Sequence, residues 1–167
     1  FQICYTLVCI QSRLKNYRHN DLKPGNILFK RTKNTKKYYD IYIIMGIKFY
    51  VPCLPFEIKI ADFDFSHSNK FKNQKIETFK ETSFYTKGIT PFTNPVYDLH
   101  YFINTSLSLI RNKNIRSYLL QFIPKQTIGP SNKYTRSHRL TSYHIDQRYN
   151  YVPENMSSAA ELLLSGF

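Results

Sequence analysis

Apolar residues recur at three- and four-residue spacing at the start of the chain, where Ile3, Leu7, Ile10 and Leu14 form a stripe flanked by Cys4 and Val8. That period predicts an amphipathic helix over residues 1–14. The pattern then shifts toward β-branched and aromatic residues. Asn26 to Lys30 predicts a short strand. Tyr39-Asp40-Ile41-Tyr42-Ile43-Ile44 and Ile47-Lys48-Phe49-Tyr50-Val51 lie on either side of Met45-Gly46 and predict a hairpin, and Phe56 to Ala61 predicts a further strand. Residues 66–95, rich in Lys, Thr, Ser and Asn, show little periodicity. Helical spacing returns with Leu99, Phe102, Ile103, Leu107 and Ile110, with Asp98 at its start, and again with Ile115, Leu119, Phe122 and Ile123 before Pro124. Gln126 to Asn150 is polar, and its His138 and His144 suggest no site. Ser158 and Glu161 form a capping-box pattern ahead of Leu162, Leu163 and Leu164, which predicts a closing helix. The elements sum to an α+β fold, mainly α, with no internal repeat.

Composition narrows the classes. A chain of 167 residues suits one domain with a sizeable core. No stretch reads as a signal peptide, and the apolar run from Ile41 to Pro55 is interrupted by Lys48, Gly46 and prolines, so no membrane partner is expected. Cys4, Cys9 and Cys53 form no Cys-x-x-Cys pair, which points to a reduced, cytoplasmic setting and to no zinc site. The net charge of +13, from 24 Lys and Arg against 11 acids, favours acidic partners: nucleotide, nucleic acid or acidic protein. Lys30, Arg31, Lys33, Lys36 and Lys37 cluster in one stretch. A solvated loop is the plain account of them, and a docking patch for an acidic partner the sharper one. The 14 Tyr and 13 Phe are scattered and form no stacking platform for bases.

The chemistry concentrates in two runs: Tyr17-Arg18-His19-Asn20-Asp21-Leu22-Lys23-Pro24-Gly25-Asn26-Ile27-Leu28-Phe29 and, downstream, Ile58-Lys59-Ile60-Ala61-Asp62-Phe63-Asp64-Phe65. Taken singly, each residue has a plain explanation. Pro, Gly and Asn are what turns select, Lys23 is a surface lysine, and Asp62 is a carboxylate at a strand end. Taken in order, the two runs resemble the catalytic loop and metal-binding aspartate of protein kinases, whose pattern is His-Arg-Asp-Leu-x-x-x-Asn followed by Asp-Phe-Gly. The resemblance implies ATP and Mg²⁺ as cofactors and a protein hydroxyl as substrate. By it, Asp21 orients the acceptor hydroxyl and takes its proton, and Lys23 reaches the transferring phosphoryl group. Asn26 and Asp62 are the metal ligands, an uncharged amide oxygen and an ionised carboxylate. Lys23 is also what serine/threonine kinases carry. His19 is expected to be structural, packed under the loop and bonded to backbone. Asp98 is either a scaffold that accepts hydrogen bonds from the catalytic-loop backbone, as the family implies, or a plain helix N-cap.

Two departures stand out. Asn20 occupies the place where many kinases carry an arginine that pairs with a phosphate on the activation segment. An amide makes no charge-assisted bidentate pair, so activity is expected not to depend on such a phosphate. Asp64 replaces the usual Gly and restricts the backbone there, which either locks the loop in one state or adds an acidic group beside the metal. The interval from Asp21 to Asp62 also exceeds the short connection usual in kinases and predicts an insertion, as in some divergent kinases, the haspin group among them.

The implied map is a partial kinase domain over residues 1–167, equivalent to the C-terminal lobe. Residues 17–29 are the catalytic loop, 30–57 an insertion carrying the extra β-hairpin, and 58–65 the metal-binding strand and loop. Residues 66–97 form the activation segment and 98–167 a helical region. The glycine-rich loop, the strand lysine and the glutamate-bearing helix of an N-terminal lobe do not occur in the sequence, so weak ATP binding is expected until that lobe is supplied. The Asn20 variant, Asp-Phe-Asp and the run Asn94-Pro95-Val96-Tyr97-Asp98-Leu99-His100 are similar to kinases of large DNA viruses, which would place the chain in a host cell. Three alternatives compete: an inactive kinase remnant that only binds, a small-molecule phosphotransferase of the aminoglycoside or choline kinase type, and a nucleic-acid-binding module suggested by charge alone. Lys23-Pro24 and Phe63 favour the protein kinase over the second.

Overall fold

The structure, a computed structural model, describes residues 1–33, 38–78, 88–92, 94–122 and 158–165. The first apolar stripe forms α1, Gln2–Arg13, which buries Cys4 and Leu7. β1, Ile27–Arg31, pairs antiparallel with β4, Phe56–Ile60, and between them β2, Tyr39–Ile44, and β3, Ile47–Pro52, make a separate antiparallel hairpin. The hairpin turn is Met45-Gly46, as its sequence predicts. Both residues have positive φ, 50° and 81°, the geometry that matches the right-handed twist of the flanking strands. Each small sheet is tied to α1. The rings of Phe1 and Tyr5 pack edge-on against Tyr42 at 5.0 and 4.8 Å. On the other side, the Gln2 side chain accepts from Ile58 N at 2.8 Å and so satisfies part of the β4 edge.

The core joins α1 to the later helices. Cys4 and Leu7 of α1 meet Leu99 and Ile103 of α3, Tyr97–Ser106, and Ala159, Leu162 and Leu163 of α5, Ala159–Leu164, together with Leu22, Ile27 and Ile44. The predicted capping box starts α5: Ser158 Oγ accepts from Glu161 N at 3.3 Å, and Glu161 Oε2 accepts from Ser158 N at 2.7 Å. α4, Lys113–Leu120, begins at Asn112, whose Oδ1 accepts from Asn114 N and Ile115 N.

Two expectations are corrected. The stripe drawn through Ile110 overruns α3, which ends at Ser106. There the Thr105 and Ser106 hydroxyls donate to the carbonyls of Tyr101 and Phe102 at 2.7 and 2.6 Å, a side-chain competition with the helix ladder that periodicity does not see. Within the run read as aperiodic, a short helix forms, α2, Gln74–Glu77, capped by Asn73, whose Oδ1 accepts from Lys75 N at 3.1 Å. Four residues are too few to show a period. Lys36, Lys37, Ile123, Pro124, the stretch 126–150 with His138 and His144, and residues 79–87 and 93 of the stretch read as an activation segment lie outside the described residues.

Among the described residues no helix is long and apolar enough to cross a membrane. All three cysteines are free. Burial pushes the Cys4 thiol up from 9.0 to about 11. Alkylation attacks through the thiolate, whose population at a fixed pH falls about tenfold per unit of pKa, so a two-unit rise costs Cys4 roughly 100-fold before steric protection is counted. Timed iodoacetamide labelling at pH 8 should therefore modify Cys9 and Cys53, which are half-buried, well before Cys4. Equal rates would show that α1 does not pack as described.

Candidate active site

The loop after α1 turns sharply. Asn16 and Asn20 sit at φ 58° and 64°, the left-handed region that Asn tolerates better than most residues. Arg18 and His67 then exchange backbone hydrogen bonds, N to O at 2.9 Å in both directions, which joins the loop to the segment after β4. His19 is fully buried. Its Nε2 donates to Ala61 O at 3.0 Å and its ring lies 5.1 Å from that of Phe63, so the structural role expected for it is observed.

Asp21 is 5% exposed and sits at the mouth of this loop. Lys23 Nζ pairs with its Oδ2. Asn26 Nδ2 donates to Asp21 O at 2.9 Å and to Asp21 Oδ2 at 3.2 Å. A short 3₁₀ turn, Pro24–Asn26, produces this return, with Pro24 supplying a fixed φ at its first position and Asn26 N donating to Lys23 O. Because the Asn26 NH₂ faces Asp21, the amide oxygen is left pointing away from it and makes no hydrogen bond to any described residue. That orientation leaves the amide oxygen of the buried Asn26 as a neutral oxygen donor beside a carboxylate.

The second run reaches the same place through β-pairing. Ile27 is opposite Ile60 in the β1–β4 register, and one residue further on Ala61 N donates to Asn26 O at 2.9 Å. Asp62 follows directly. It is exposed and has φ 63°, a conformation uncommon outside Gly, Asn and Asp. Such backbone strain is concentrated at functional positions and is worth noting on its own. Asp21, Lys23, Asn26 and the Asp62 backbone are thus gathered at one loop-and-strand junction. Asp64 is exposed, and its carbonyl accepts from Asn73 Nδ2 at 2.7 Å, so the residue standing where glycine is usual helps to anchor the start of α2.

Asp98 resolves in favour of the scaffold. Its Oδ2 accepts from His19 N at 2.7 Å and its Oδ1 from Asn20 N at 2.9 Å, while the residue capping α3 is Val96. Burial pushes the Asp98 carboxyl above the usual carboxylate range; the two N–H donors and the charges of Arg18 and His19 pull against that. Burial also raises the nearby Tyr17 hydroxyl, and the Asp98 charge adds to the effect.

Several contributing residues escaped the sequence reading. Arg18 is buried and bonds to residues 88–92; Thr90 receives it; Tyr97 lies under its guanidinium. Glu77 Oε1 lies 2.7 Å from Nε2 of the buried His67, which ties α2 to the Arg18 bridge. Arg18 did lie inside the recognised motif, but nothing in a linear sequence distinguishes a buried arginine from a solvated one.

No group of three or more His, Cys, Asp or Glu side chains converges as a metal site among the described residues. Mg²⁺ asks for less from a protein: one or two carboxylates, with water and phosphate oxygens completing the shell. The amide oxygen of Asn26 and the carboxylate of the exposed Asp62 fit that demand in donor type.

A family model described as poxvirus serine/threonine protein kinase matches residues 1–147. A protein of Acanthamoeba polyphaga mimivirus, named a putative serine/threonine-protein kinase, is 36% identical over 114 residues, which is 65% of this chain and 23% of that protein. The chain therefore corresponds to under a quarter of the length of this curated relative.

Proposed function

The chain belongs to the poxvirus serine/threonine protein kinase family, and from that premise we propose that it forms the catalytic half of a kinase transferring the γ-phosphoryl group of ATP to protein serine or threonine. The observation that carries this reading is the gathering of Asp21, Lys23 and Asn26 in one loop, with Asp62 brought beside them by the bond from Ala61 N to Asn26 O. Asp21 would orient the acceptor hydroxyl and take its proton as the new O–P bond forms and the bond from the γ-phosphorus to the bridging oxygen of ADP breaks. Lys23, already paired with Asp21, would hold its ammonium close to the phosphoryl oxygens and keep the carboxylate aimed. Asn26 and Asp62 would hold Mg²⁺. When bound, the metal supplies neutralisation of charge on the phosphate oxygens.

The test is transfer of labelled phosphate from ATP to a generic basic protein acceptor. The chain is assayed alone and fused to the N-terminal lobe of a serine/threonine kinase. We expect the fusion to transfer phosphate in the presence of Mg²⁺. Asp62→Asn should raise the Mg²⁺ concentration required for half-maximal rate and lower that rate, because a charged ligand becomes a neutral one. A folded fusion that binds Mg-ATP without turnover would establish the binding-only remnant instead. Transfer to a small alcohol or aminoglycoside in preference to protein would move the chain to the other phosphotransferase class.

A further inference from the structure

Arg18 leads the fully buried side chains by volume, with 1% of its surface exposed. An ion taken out of water costs several kcal/mol unless its hydrogen-bonding capacity is met. Neutral acceptors take three bonds from its two terminal nitrogens, and the buried Asp98 carboxyl lies close enough to feel its charge: Nη2 donates to Gly88 O at 2.6 Å, and Nη1 donates to Thr90 Oγ1 at 2.7 Å and to Phe92 O at 3.2 Å. The guanidinium carbon lies 3.9 Å from the centroid of the Tyr97 ring, within the range of a cation–π contact. The Arg18 backbone is itself locked by the paired bonds to His67. Two residues on, Asn20 Nδ2 donates to Phe65 O at 2.9 Å and to Thr90 O at 3.3 Å, and Asp98 holds the peptide N–H of Asn20. Gly88 has φ 69°, which a residue without Cβ adopts freely.

From this arrangement we propose that Arg18 is a positioning residue that fixes Gly88–Phe92 beside the Asp21 loop through neutral backbone and hydroxyl acceptors, so that the segment facing the protein substrate is set without a phosphate. The inference rests on the kinase reading and goes beyond it. Asn20 stands where many kinases use an arginine to grasp a phosphate. In this chain the guanidinium comes from two residues earlier, and it grasps the segment itself. A planar five-donor fork is required, because an ammonium at the end of a lysine is one point donor and reaches fewer of the three acceptors.

The experiment compares hydrogen exchange of the intact chain with that of Arg18→Lys and Arg18→Met. Losing one or two of these charge-assisted bonds should speed exchange across Gly88–Phe92 by about tenfold or more while the amides of β1 and β4 keep their protection. If Arg18→Met does not fold, Thr90→Val, which deletes one acceptor at nearly constant shape, carries the same comparison. In the transfer assay, Arg18→Lys should raise KM for the protein acceptor and leave KM for ATP in place. Phosphatase treatment of the wild-type protein should change neither constant. Unchanged exchange at 88–92, or loosening by phosphatase, would overturn the proposal, as would loss of protection spread evenly over the molecule. Local loosening in a chain that transfers no phosphate would leave the positioning role standing and remove the kinase reading instead.

Discussion

Under the proposed mechanism, Asp21→Asn should lower phosphoryl transfer by about 10²- to 10⁴-fold, the usual cost of deleting a general base, in a chain that still folds and binds ATP. The size of the effect follows from what the substitution preserves. Asparagine keeps an oxygen that can accept from Asn26 Nδ2, so the 3₁₀ turn of Pro24–Asn26 has no reason to open. The partnership with Lys23 loses its charge but keeps a hydrogen bond, since the Asn oxygen can still accept from the partly exposed ammonium. What disappears is the ability to take a proton at that atom. Rate constants for wild type and variant, measured at saturating ATP with circular dichroism as the folding control, decide the matter. A folded variant that transfers at the wild-type rate removes Asp21 from the chemistry.

The legibility of this site in the sequence was uneven, for physical reasons. The residues proposed for the chemistry were visible because the kinase pattern specifies their type and order: a carboxylate, a lysine and an amide in one tight loop, then a carboxylate at the end of a strand. The hairpin was visible because alternation and a Met45-Gly46 turn are local signals. The closing helix was visible because a capping box is three residues of local chemistry. What stayed hidden depends on distant contacts. Arg18 is 70 and 74 residues away from the carbonyls of Gly88 and Phe92, and no periodicity records that interval. Likewise the choice between scaffold and cap for Asp98 required knowing that residues 19 and 20 present their N–H groups to it, since both uses ask for the same residue ahead of a helix.

The second large effect is on folding and centres on that carboxylate. Asp98→Ala leaves the N–H groups of His19 and Asn20, both fully buried residues, without their acceptor. Each orphaned donor costs about 1–3 kcal/mol, so the pair removes about 2–6 kcal/mol from a chain whose whole stability is expected to be about 5–15 kcal/mol. Asp98→Asn, which keeps one acceptor oxygen and turns an NH₂ toward the other donor, should lose a similar amount at neutral pH and fold to the same topology. The pH dependence has a definite sign. Burial raises the Asp98 pKa above its ordinary 3.8, so the folded chain retains a proton that the unfolded chain has released. Stability from this group is therefore complete below about 3.8 and declines as pH rises through the folded value, because in that interval the native state binds more protons. The advantage of wild type over Asp98→Asn should accordingly shrink with rising pH across that window and level off above it. Urea unfolding of both proteins from pH 3 to pH 7 measures the difference directly, and an advantage that grows with pH would mean that the two N–H bonds outweigh burial and hold the carboxylate ionised.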